Sequence, residues 1–478
     1  MNLYQNKSFL TVTIVLSAVL ALASCKAVTK TYKQPTLSNS IKSNLYRDTI
    51  PANDTATLAD IPWTKIFSDT HLQQLIAEGL TNNLDLKNAI EQINEARASF
   101  KESKAAFLPT LNFSPSVTNS KSSAAALNFP AGIGINLKTT TYQLAFTSSW
   151  EVDIWGKLAA SKRAALAGLL QSDASKRAVQ TQLISDIAGY YYSLIAFDKQ
   201  VEITERTIEN RKEDVKSMKA LKEAAVVNGA AVVQSEANLH AAEVTLPDLK
   251  QSIRETEHAI CLLLGKEPGP VERSSLDKQQ AYEGLKTGVP VQLLHNRPDV
   301  EAAELSFRNA FENTNVARTN FYPSLTLTST GAGVSSLTLG NLFASSIFYN
   351  IAAGLTQPIL NKGANKSKLA SARAKQNIAL NTFYSTILTA GQEVSNALYK
   401  YKAGVEKETY RTQQIASLEK AVEYTKALLQ YSSSTNYTDV LTSEQSLLSA
   451  QLSSVNDKLQ QLQAVVTLYH SLGGGWKN

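Results

Sequence analysis

The segment Asn320-Phe321-Tyr322-Pro323-Ser324-Leu325-Thr326-Leu327-Thr328 links a helical stretch to one in which apolar and polar residues alternate. A related segment, Ala106-Phe107-Leu108-Pro109-Thr110-Leu111, stands roughly two hundred residues earlier. Repeats have to be recognised before a fold is assigned, because each copy builds the same unit. The pair therefore predicts a chain made of two similar halves.

Further pairs of positions match between the two halves, in the same order and at nearly the same separation. They are Gly156 with Gly363, Gln234-Ser235-Glu236 with Thr442-Ser443-Glu444, and Leu264-Gly265 with Leu472-Gly473. Each half reads as a helix, a proline, two alternating segments joined by a loop, a very long helix and a return helix. We therefore expect an internal two-fold repeat.

This shared order of secondary-structure elements predicts the organisation of the chain. The first repeat is expected at 67–265, with strands at about 110–151, a long helix at about 156–227 and a return helix at about 231–265. The second is expected at 297–473, with strands at about 324–357, a long helix at about 363–434 and a return helix at about 439–472. The other segments are a leader at 1–24, an anchor segment at 25–66, a linker and equatorial region at 266–296, and a tail at 474–478.

The alternating segments have a period of two, which is the period of a β-strand with one apolar face. Their apolar positions are Tyr142, Leu144 and Phe146 in the first half, and Leu325, Leu327, Ile347, Tyr349 and Ile351 in the second. Small polar residues on the other face favour a membrane β-barrel with a wet lumen. A soluble sheet packed on helices gives the same alternation. Four strands cannot enclose a conducting pore, so a pore requires several chains.

Aromatic residues gather where the strands are expected to meet the helices. They are Phe107, Trp150, Trp155, Phe321 and Tyr322. Aromatic side chains are enriched at the membrane–water interface. In the barrel interpretation, these residues form the girdle at one interface.

The helical stretches avoid proline for an unusual length, with none between Pro130 and Pro247 and none after Pro358. A helix of the expected length would reach roughly 108 Å. The second return helix has apolar residues spaced alternately by four and three, which is a heptad seam. Its members are Leu448, Leu452, Val455, Leu459, Leu462, Val466 and Tyr469. A soluble coiled coil gives the same seam.

The amino terminus resembles an export signal, with Lys7 followed by the uncharged run Phe9–Leu22 and by Leu22-Ala23-Ser24-Cys25. The run is too short to span a bilayer. Its ending is typical of a lipobox, which predicts covalent lipid on Cys25; a plain secretory signal is the alternative. The other cysteine, Cys261, lies in an apolar helical stretch and is expected to pack.

Composition argues against two other classes of function. Lys and Arg number 47 against 41 Asp and Glu, and no basic run stands out, so nucleic-acid binding is not indicated. The five histidines are scattered, and neither a catalytic motif nor a metal-binding motif is present. The sequence thus predicts neither an enzyme nor a metal or other cofactor site. With only Met1 and Met218, a thioether path for soft metals is not indicated either.

Several motifs together resemble the TolC-like outer-membrane efflux lipoproteins of the OprM and NodT type. The resemblance runs from about Pro62 to Trp476 and includes the lipobox. Its motifs are Ser149-Trp150-Glu151-Val152-Asp153-Ile154-Trp155-Gly156-Lys157, Arg297-Pro298-Asp299-Val300-Glu301-Ala302-Ala303-Glu304, Ala317-Arg318-Thr319-Asn320-Phe321-Tyr322-Pro323-Ser324-Leu325, Gln357-Pro358-Ile359-Leu360 and Leu472-Gly473-Gly474-Gly475-Trp476.

The resemblance implies a mainly α fold with a membrane β-barrel (α+β). Three chains form a homotrimer, contribute four strands each to one barrel among the outer-membrane lipids, and continue as an α-helical tunnel across the periplasm. The tunnel is passive, and energy comes from an inner-membrane pump of the RND type through a periplasmic adaptor. The exit duct of a type I protein secretion system is the alternative within this class, and a soluble coiled-coil scaffold is the alternative outside it.

The resemblance also implies which residues act at the periplasmic end. The gate residues are expected to be Tyr431, Asn436, Tyr437 and Asp439, and the adaptor-contacting tips Asn228, Gly229, Ser434 and Thr435. Asp439 opens a helix, where a carboxylate can cap free amides, while three copies around an axis would form a negative ring favouring cations. Both roles are compatible. Ala231, Ser434 and Asn436 depart from the family pattern, which predicts a less charged gate.

Overall fold

A computed structural model describes residues 28–36, 45–47, 57–123, 137–282, 284–285, 293–344, 346–431 and 437–477. The helices are α1 Trp63–Ile66, α2 Thr70–Asn82, α3 Leu84–Ala105, α4 Lys157–Glu223, α5 Gly229–Leu263, α6 Leu293–Asn296, α7 Pro298–Thr319, α8 Ala364–Tyr431 and α9 Tyr437–Ser471. The strands are β1 Thr110–Lys121, β2 Lys138–Val152, β3 Ser324–Ser336 and β4 Ile347–Thr356. The chain is mainly helical with one sheet, as expected. It divides into two compact units.

The first unit comprises Met1–Pro35, Asn94–Leu170 and Glu304–Asn381 and contains the sheet. Its strands lie in the order β1-β2-β3-β4, and every neighbouring pair is antiparallel. The register aligns apolar residues in rows across one face. One row is Phe113, Phe146, Ala332 and Tyr349, and the next is Pro115, Leu144, Val334 and Ile347. The predicted period of two is therefore confirmed.

This apolar face is exposed in the single chain, as is the opposite face of β1. Large side chains on the outer strands are well exposed: Leu111, Phe113 and Val117 on β1, and Ile347, Tyr349, Ile351 and Leu355 on β4. A contiguous exposed apolar surface indicates contact with a membrane or with a partner protein. Within the described residues, no helix has the length and hydropathy needed to cross a membrane.

The junction between the sheet and the helices is fixed by two tryptophans and one aspartate. Trp150 donates to the Phe107 carbonyl at 2.9 Å, and Trp155 donates to the Pro323 carbonyl at 2.7 Å. Asp153 accepts from the first free amides of α4, which is how a carboxylate caps a helix start. The predicted aromatic group thus ties strand ends to helix ends.

The second unit comprises Thr36–Ile93, Gln171–Ala303 and Thr382–Asn478 and holds the largest core. Fully buried side chains from α4 form its centre: Ile184, Ile187, Tyr191, Leu194 and Ile195. The α9 seam is buried or half-buried, as predicted. Near the helix end the buried surface is wider than the seam, because Ala464, Val465 and Leu468 on other faces are also buried against this core.

The boundaries of the hairpins differ from the expected ones. The helix α4 ends at Glu223 and not at 227, because Ala225 adopts a positive φ of 57° and the Val226 amide bonds back to Leu221. The helix α5 starts earlier than expected, at Gly229, because Asn228 caps it. The second hairpin consists of α8, which ends at Tyr431, and α9, which begins at Tyr437.

Both return helices end on a glycine that the repeat comparison had singled out. Gly265 and Gly473 have φ values of 65° and 86°. A Cβ on Gly473 would lie 2.2 Å from the Asn296 carbonyl oxygen, and one on Gly265 would lie 2.8 Å from that of Asn82. Backbone conformation and close approach therefore both require glycine at these helix ends.

Candidate functional site

The free ends of the two hairpins pack together in the second unit, and we call this region the tip. The first hairpin is α4 and α5, and the second is α8 and α9. Four buried side chains form a small apolar cluster there: Met218, Val232, Tyr437 and Val440. Half-buried residues from all four helices surround it. The tip therefore joins the two repeats through apolar contact.

Tyr437, a predicted gate residue, lies inside this cluster. It is only 7% exposed, and its hydroxyl donates to Ser235 Oγ at 2.8 Å. Burial raises the pKa of this phenol, so the side chain stays neutral and can donate. Tyr437 thus links α9 to α5 within one chain, and its role at a gate stays a prediction.

The other predicted gate residues are placed differently. Tyr431 is the last residue of α8 and is 87% exposed. Asp439 is exposed in the first turn of α9, where the helix dipole favours a negative charge. Ser434, Thr435 and Asn436 lie outside the described residues.

The first-hairpin tip residues lie at a helix start. Asn228 Oδ1 accepts from the Ala231 amide at 3.1 Å, so Asn228 is the N-cap of α5, and Gly229 is the first helical residue. Both are exposed. The N-cap hydrogen bond holds the start of the helix in place. Contact of these residues with an adaptor stays a prediction.

Sequence reasoning missed a charged group beside the apolar cluster. The Lys426 ammonium on α8 lies 3.2 Å from Asp214 Oδ1 on α4 and 2.5 Å from Glu444 Oε1 on α9. The carboxylate side chains are 16% and 14% exposed, and that of Lys426 is 40% exposed. We call these three residues the Lys426 cluster. It connects three of the four tip helices.

The charges in this cluster do not balance, since two carboxylates share one ammonium. Burial raises the pKa of Glu444, and the nearby Asp214 charge raises it further. The two carboxylates raise the pKa of Lys426, which therefore stays charged. Glu444 therefore takes up a proton more readily than an ordinary glutamate does, while Lys426 keeps its charge.

The sequence did carry a signal for this group, because the Ser235-Glu236 pair aligns with Ser443-Glu444 in the repeat. Glu236 pairs with Lys219 at 2.9 Å, as Glu444 pairs with Lys426. The Lys219 pair is exposed, whereas the Lys426 pair is covered by the other hairpin. The repeat predicts the pair but not its burial.

We expect acid to tighten the tip. A pKa raised in the folded state contributes stability that is present at low pH and lost as pH rises through that pKa. Glu444 therefore favours the packed tip as pH falls toward its ordinary pKa of 4.5. Protection factors of the first turns of α9, which are exchange rates corrected for the intrinsic pH dependence of amide exchange, should rise as pH falls toward 4.5.

Glu444→Gln should flatten this pH dependence, because the amide cannot titrate. The control is Glu236→Gln, which changes the equivalent exposed residue in the first repeat and should leave the dependence intact. If Glu444→Gln kept the full pH dependence, Glu444 would not be the titrating group.

Other sequence expectations concern chemistry away from the tip. Cys261 is buried, and its thiol lies 3.5 Å from the Gly269 carbonyl oxygen, which is the packing role expected for it. Among the described residues, no group of three His, Cys, Asp or Glu side chains is placed to hold a metal ion. Cys25 lies outside the described residues.

Comparison with known proteins identifies close relatives of this architecture. A model of the family described as "outer membrane efflux protein" matches residues 75–266 and 289–474, one segment in each half of the chain. The toluene efflux pump outer membrane protein TtgF of Pseudomonas putida is 29% identical over 423 residues, covering 88% of this chain and 86% of that protein.

Two further comparisons extend over nearly the whole chain. The probable outer membrane lipoprotein SilC of Salmonella typhimurium is 27% identical over 465 residues, covering 96% of this chain and 98% of that protein. The solved structure of the outer-membrane channel OprN matches with a TM-score of 0.84 at 23% identity, covering 95% of this chain and all of that one. That likeness shows a shared fold.

Proposed function

Since the chain belongs to the outer membrane efflux protein family and is therefore an outer-membrane efflux component, we propose that three copies form one passive conduit to the cell exterior. In this proposal, an inner-membrane pump of the RND type delivers substrates through a periplasmic adaptor. The chain itself catalyses no reaction. The observation that carries the proposal is the duplicated sheet-and-hairpin architecture.

The sheet supports assembly from several chains. Its outer strands, β1 and β4, each pair with a single neighbour among the described strands. An open edge with exposed apolar residues invites pairing with another chain, and barrels remove such edges by closing. Three four-stranded sheets would close into twelve strands, which is within the range of outer-membrane barrels.

The substrate class is proposed to be small molecules. The relatives TtgF and SilC are named as a toluene efflux pump component and a probable outer membrane lipoprotein, and these descriptions belong to those proteins. Export of proteins by a type I system is the second candidate, because the same duct architecture suits both. The adaptor would meet the tip, where Asn228 and Gly229 are exposed.

The test is a deletion strain measured for both kinds of transport. We expect loss of the chain to raise intracellular accumulation of several small toxic compounds, and the intact gene to restore efflux. Secretion of proteins should be unaffected. Lost protein secretion with unchanged compound accumulation would support the duct of a type I system.

A lipid on Cys25 is proposed to anchor the amino terminus. Lys30, five residues later, is held through both backbone groups by Asn315, at 3.0 and 2.9 Å. We expect palmitate labelling of the wild-type chain and none of Cys25→Ala. Labelling that persists in this variant would contradict the anchor.

A ring of three Asp439 side chains is proposed to favour cations at the gate. Carboxylates around a narrow axis attract cations and repel anions. We expect Asp439→Ala to lower cation selectivity and block by divalent cations in planar bilayers, with Asp439→Glu as the charge-retaining control. If Asp439→Ala left selectivity and gating unchanged, the ring would be excluded, and Asp439 would only stabilise the start of α9.

A further inference from the structure

The second half of the chain has an uneven charge distribution near the junction between the sheet and the helices. No Asp or Glu occurs between Glu312 and Glu393. Within this interval, the first turns of α8 carry four cations, which are Lys366, Lys368, Arg373 and Lys375. All four side chains are exposed, and none forms an ion pair with another described residue. Their charges are therefore available to a ligand.

The repeat shows that these cations are not required by the shared architecture. Counted from the matching glycines of the two repeats, Lys366 is equivalent to Ala159, and Arg373 is equivalent to Leu166. The first repeat forms the same kind of long helix without charge at these positions. A role in binding explains charges that the fold itself does not need.

The amino-terminal segment covers one face of α7 at this junction. Tyr32 packs against the rings of Phe307 and Phe311, and Asn315 binds both backbone groups of Lys30. The three α7 residues are spaced by four, so they share one face of the helix. This face therefore marks the side of the junction on which the amino-terminal segment lies.

The covered face of α7 points away from the lumen of the proposed conduit. Lys30 lies five residues after Cys25, and five extended residues reach at most about 18 Å. A lipid on Cys25, as proposed above, inserts among the other lipids and holds Lys30 within that distance of the bilayer surface. The face that binds Lys30 is therefore the outer face, close to the headgroups of the inner leaflet.

Three further cations lie on this outer side. Arg318 follows Asn315 by three residues and donates to its Oδ1 at 2.8 Å. The Arg373 charge lies close enough to act on Arg318, whose pKa is lowered by burial and by this charge, although both guanidinium groups stay protonated. Lys366 precedes Arg373 by seven residues, or about two helical turns, so it lies on the same side of α8. We call Lys30, Arg318, Lys366 and Arg373 the outer basic patch.

The acids of α7 near this patch are already engaged. Arg163 binds the two carboxylate oxygens of Glu312 at 2.8 and 2.9 Å, and the Glu312 side chain is only 2% exposed. Glu304 accepts from Tyr32 and Gln34, and it lies 14 residues, or about 21 Å, before Arg318 along the helix. The outer basic patch thus has several like charges and no free acid beside them, which favours an anionic ligand.

We propose that the outer basic patch binds the phosphate groups of anionic phospholipids in the inner leaflet of the outer membrane. Lys and Arg bind phosphate oxygens through charge-assisted hydrogen bonds, and an anionic membrane surface attracts each nearby cation. Lys366 and Arg373 lie about 10 Å apart along α8, so the patch offers donors at two depths. The inference rests on the proposed barrel and on the lipid at Cys25, and it names the lipid class bound beside them.

The other side of the same two helices provides a matched control. Lys368 and Lys375 line a groove together with the opposite face of α7, whose residues there are Asn309, Asn313, Val316 and Asn320. Each of these lysines is two residues from a patch cation on α8, so the difference in height is only about 3 Å. A change in these lysines removes the same charge at the same level but on the other side.

Native mass spectrometry of the full, lipidated chain tests the patch. Trimers purified from outer membranes in a neutral detergent are titrated separately with dioleoylphosphatidylglycerol and with dioleoylphosphatidylcholine. We expect wild type to bind the phosphatidylglycerol at least about fivefold more tightly, because one cation near an anionic surface favours binding by roughly that factor. Lys366→Gln with Arg373→Gln should lower the preference to less than about twofold, whereas Lys368→Gln with Lys375→Gln should keep it.

The three proteins together decide the role of the patch. A preference that is lost in the outer pair and kept in the inner pair supports lipid binding by the patch. A preference that is equal in all three proteins, or lost in both pairs, overturns it. An outer-pair variant that dissociates into monomers but keeps the wild-type lipid preference also overturns it, and would assign these cations to contact between copies. A wild-type chain that is monomeric in outer membranes would overturn the proposed assembly, and the patch with it.

Discussion

Replacing Lys426 with methionine is expected to loosen the tip and raise the conductance of the purified channel severalfold. The substitution keeps the length and apolar stem of the side chain but removes its charge. Asp214 and Glu444 then face each other without a cation, and both carboxylates are largely buried. The two hairpins should separate where this cluster joins them.

The size of the effect follows from burial. Removing one partner of a fully buried ion pair costs about 3–5 kcal/mol. The Lys426 side chain is 40% exposed, so solvent screens part of the loss, and about 1–3 kcal/mol is expected. Single-channel recording in planar bilayers measures the opening, and hydrogen exchange at the start of α9 measures the local loss of stability.

The repeat supplies a matched control in Lys219→Met. Lys219 pairs with Glu236 at the equivalent point of the first hairpin, but both side chains are exposed. Exposed pairs contribute about 0–1 kcal/mol, so this variant should behave like wild type. Adding Glu444→Gln to Lys426→Met should restore part of the closure, because one unpaired charge is removed. Equal conductance in Lys426→Met and Lys219→Met would contradict a holding role for the Lys426 cluster.

Much of the fold follows from local patterns in the sequence. The repeat anchors Gly265 and Gly473 proved to be helix ends that require glycine. The period-two segments became the four strands, because apolar alternation fixes which face each side chain occupies. These features depend on residues close in sequence, which is why they could be predicted.

The tip could be predicted only in part, because its chemistry depends on contacts between hairpins. The Lys426–Glu444 and Lys219–Glu236 pairs look alike in the sequence, yet only the former is covered by the other hairpin. The resemblance predicts Tyr437 at the gate but does not predict that its side chain is buried and donates to Ser235. Burial is set by packing over long sequence separations, and no single segment reports it.

A second large effect is expected at Arg297, the first residue of the motif Arg297-Pro298-Asp299. Its guanidinium binds Asp299 through two bonds of 2.9 and 2.7 Å, Glu393 at 2.5 Å and the Ser471 carbonyl at 2.9 Å. The side chain is only 5% exposed. It therefore connects the start of α7 to α8 and to the end of α9. Sequence reasoning found the motif but not these distant acceptors.

Arg297→Met should leave two carboxylates, each more than a third exposed, and one carbonyl without their donor. Solvent screens the two carboxylates in part, so a loss of about 1–3 kcal/mol is expected, which should lower the amount of assembled protein in outer membranes. Arg297→Lys should rescue little, because an ammonium cannot reproduce the planar two-bond contact to Asp299 while also reaching Glu393 and Ser471. Immunoblots of unheated membrane samples and the thermal midpoint of the purified protein measure both variants.

The control is Arg206→Met, which removes an arginine paired with Glu202 at 3.1 Å on the exposed surface of α4. The Arg206 side chain is 69% exposed, so its loss should change stability by less than about 1 kcal/mol. The contrast separates burial from the mere loss of one positive charge. If Arg297→Met assembled as well as Arg206→Met, the Arg297 contacts would not hold the second unit together, and the motif would need another physical explanation.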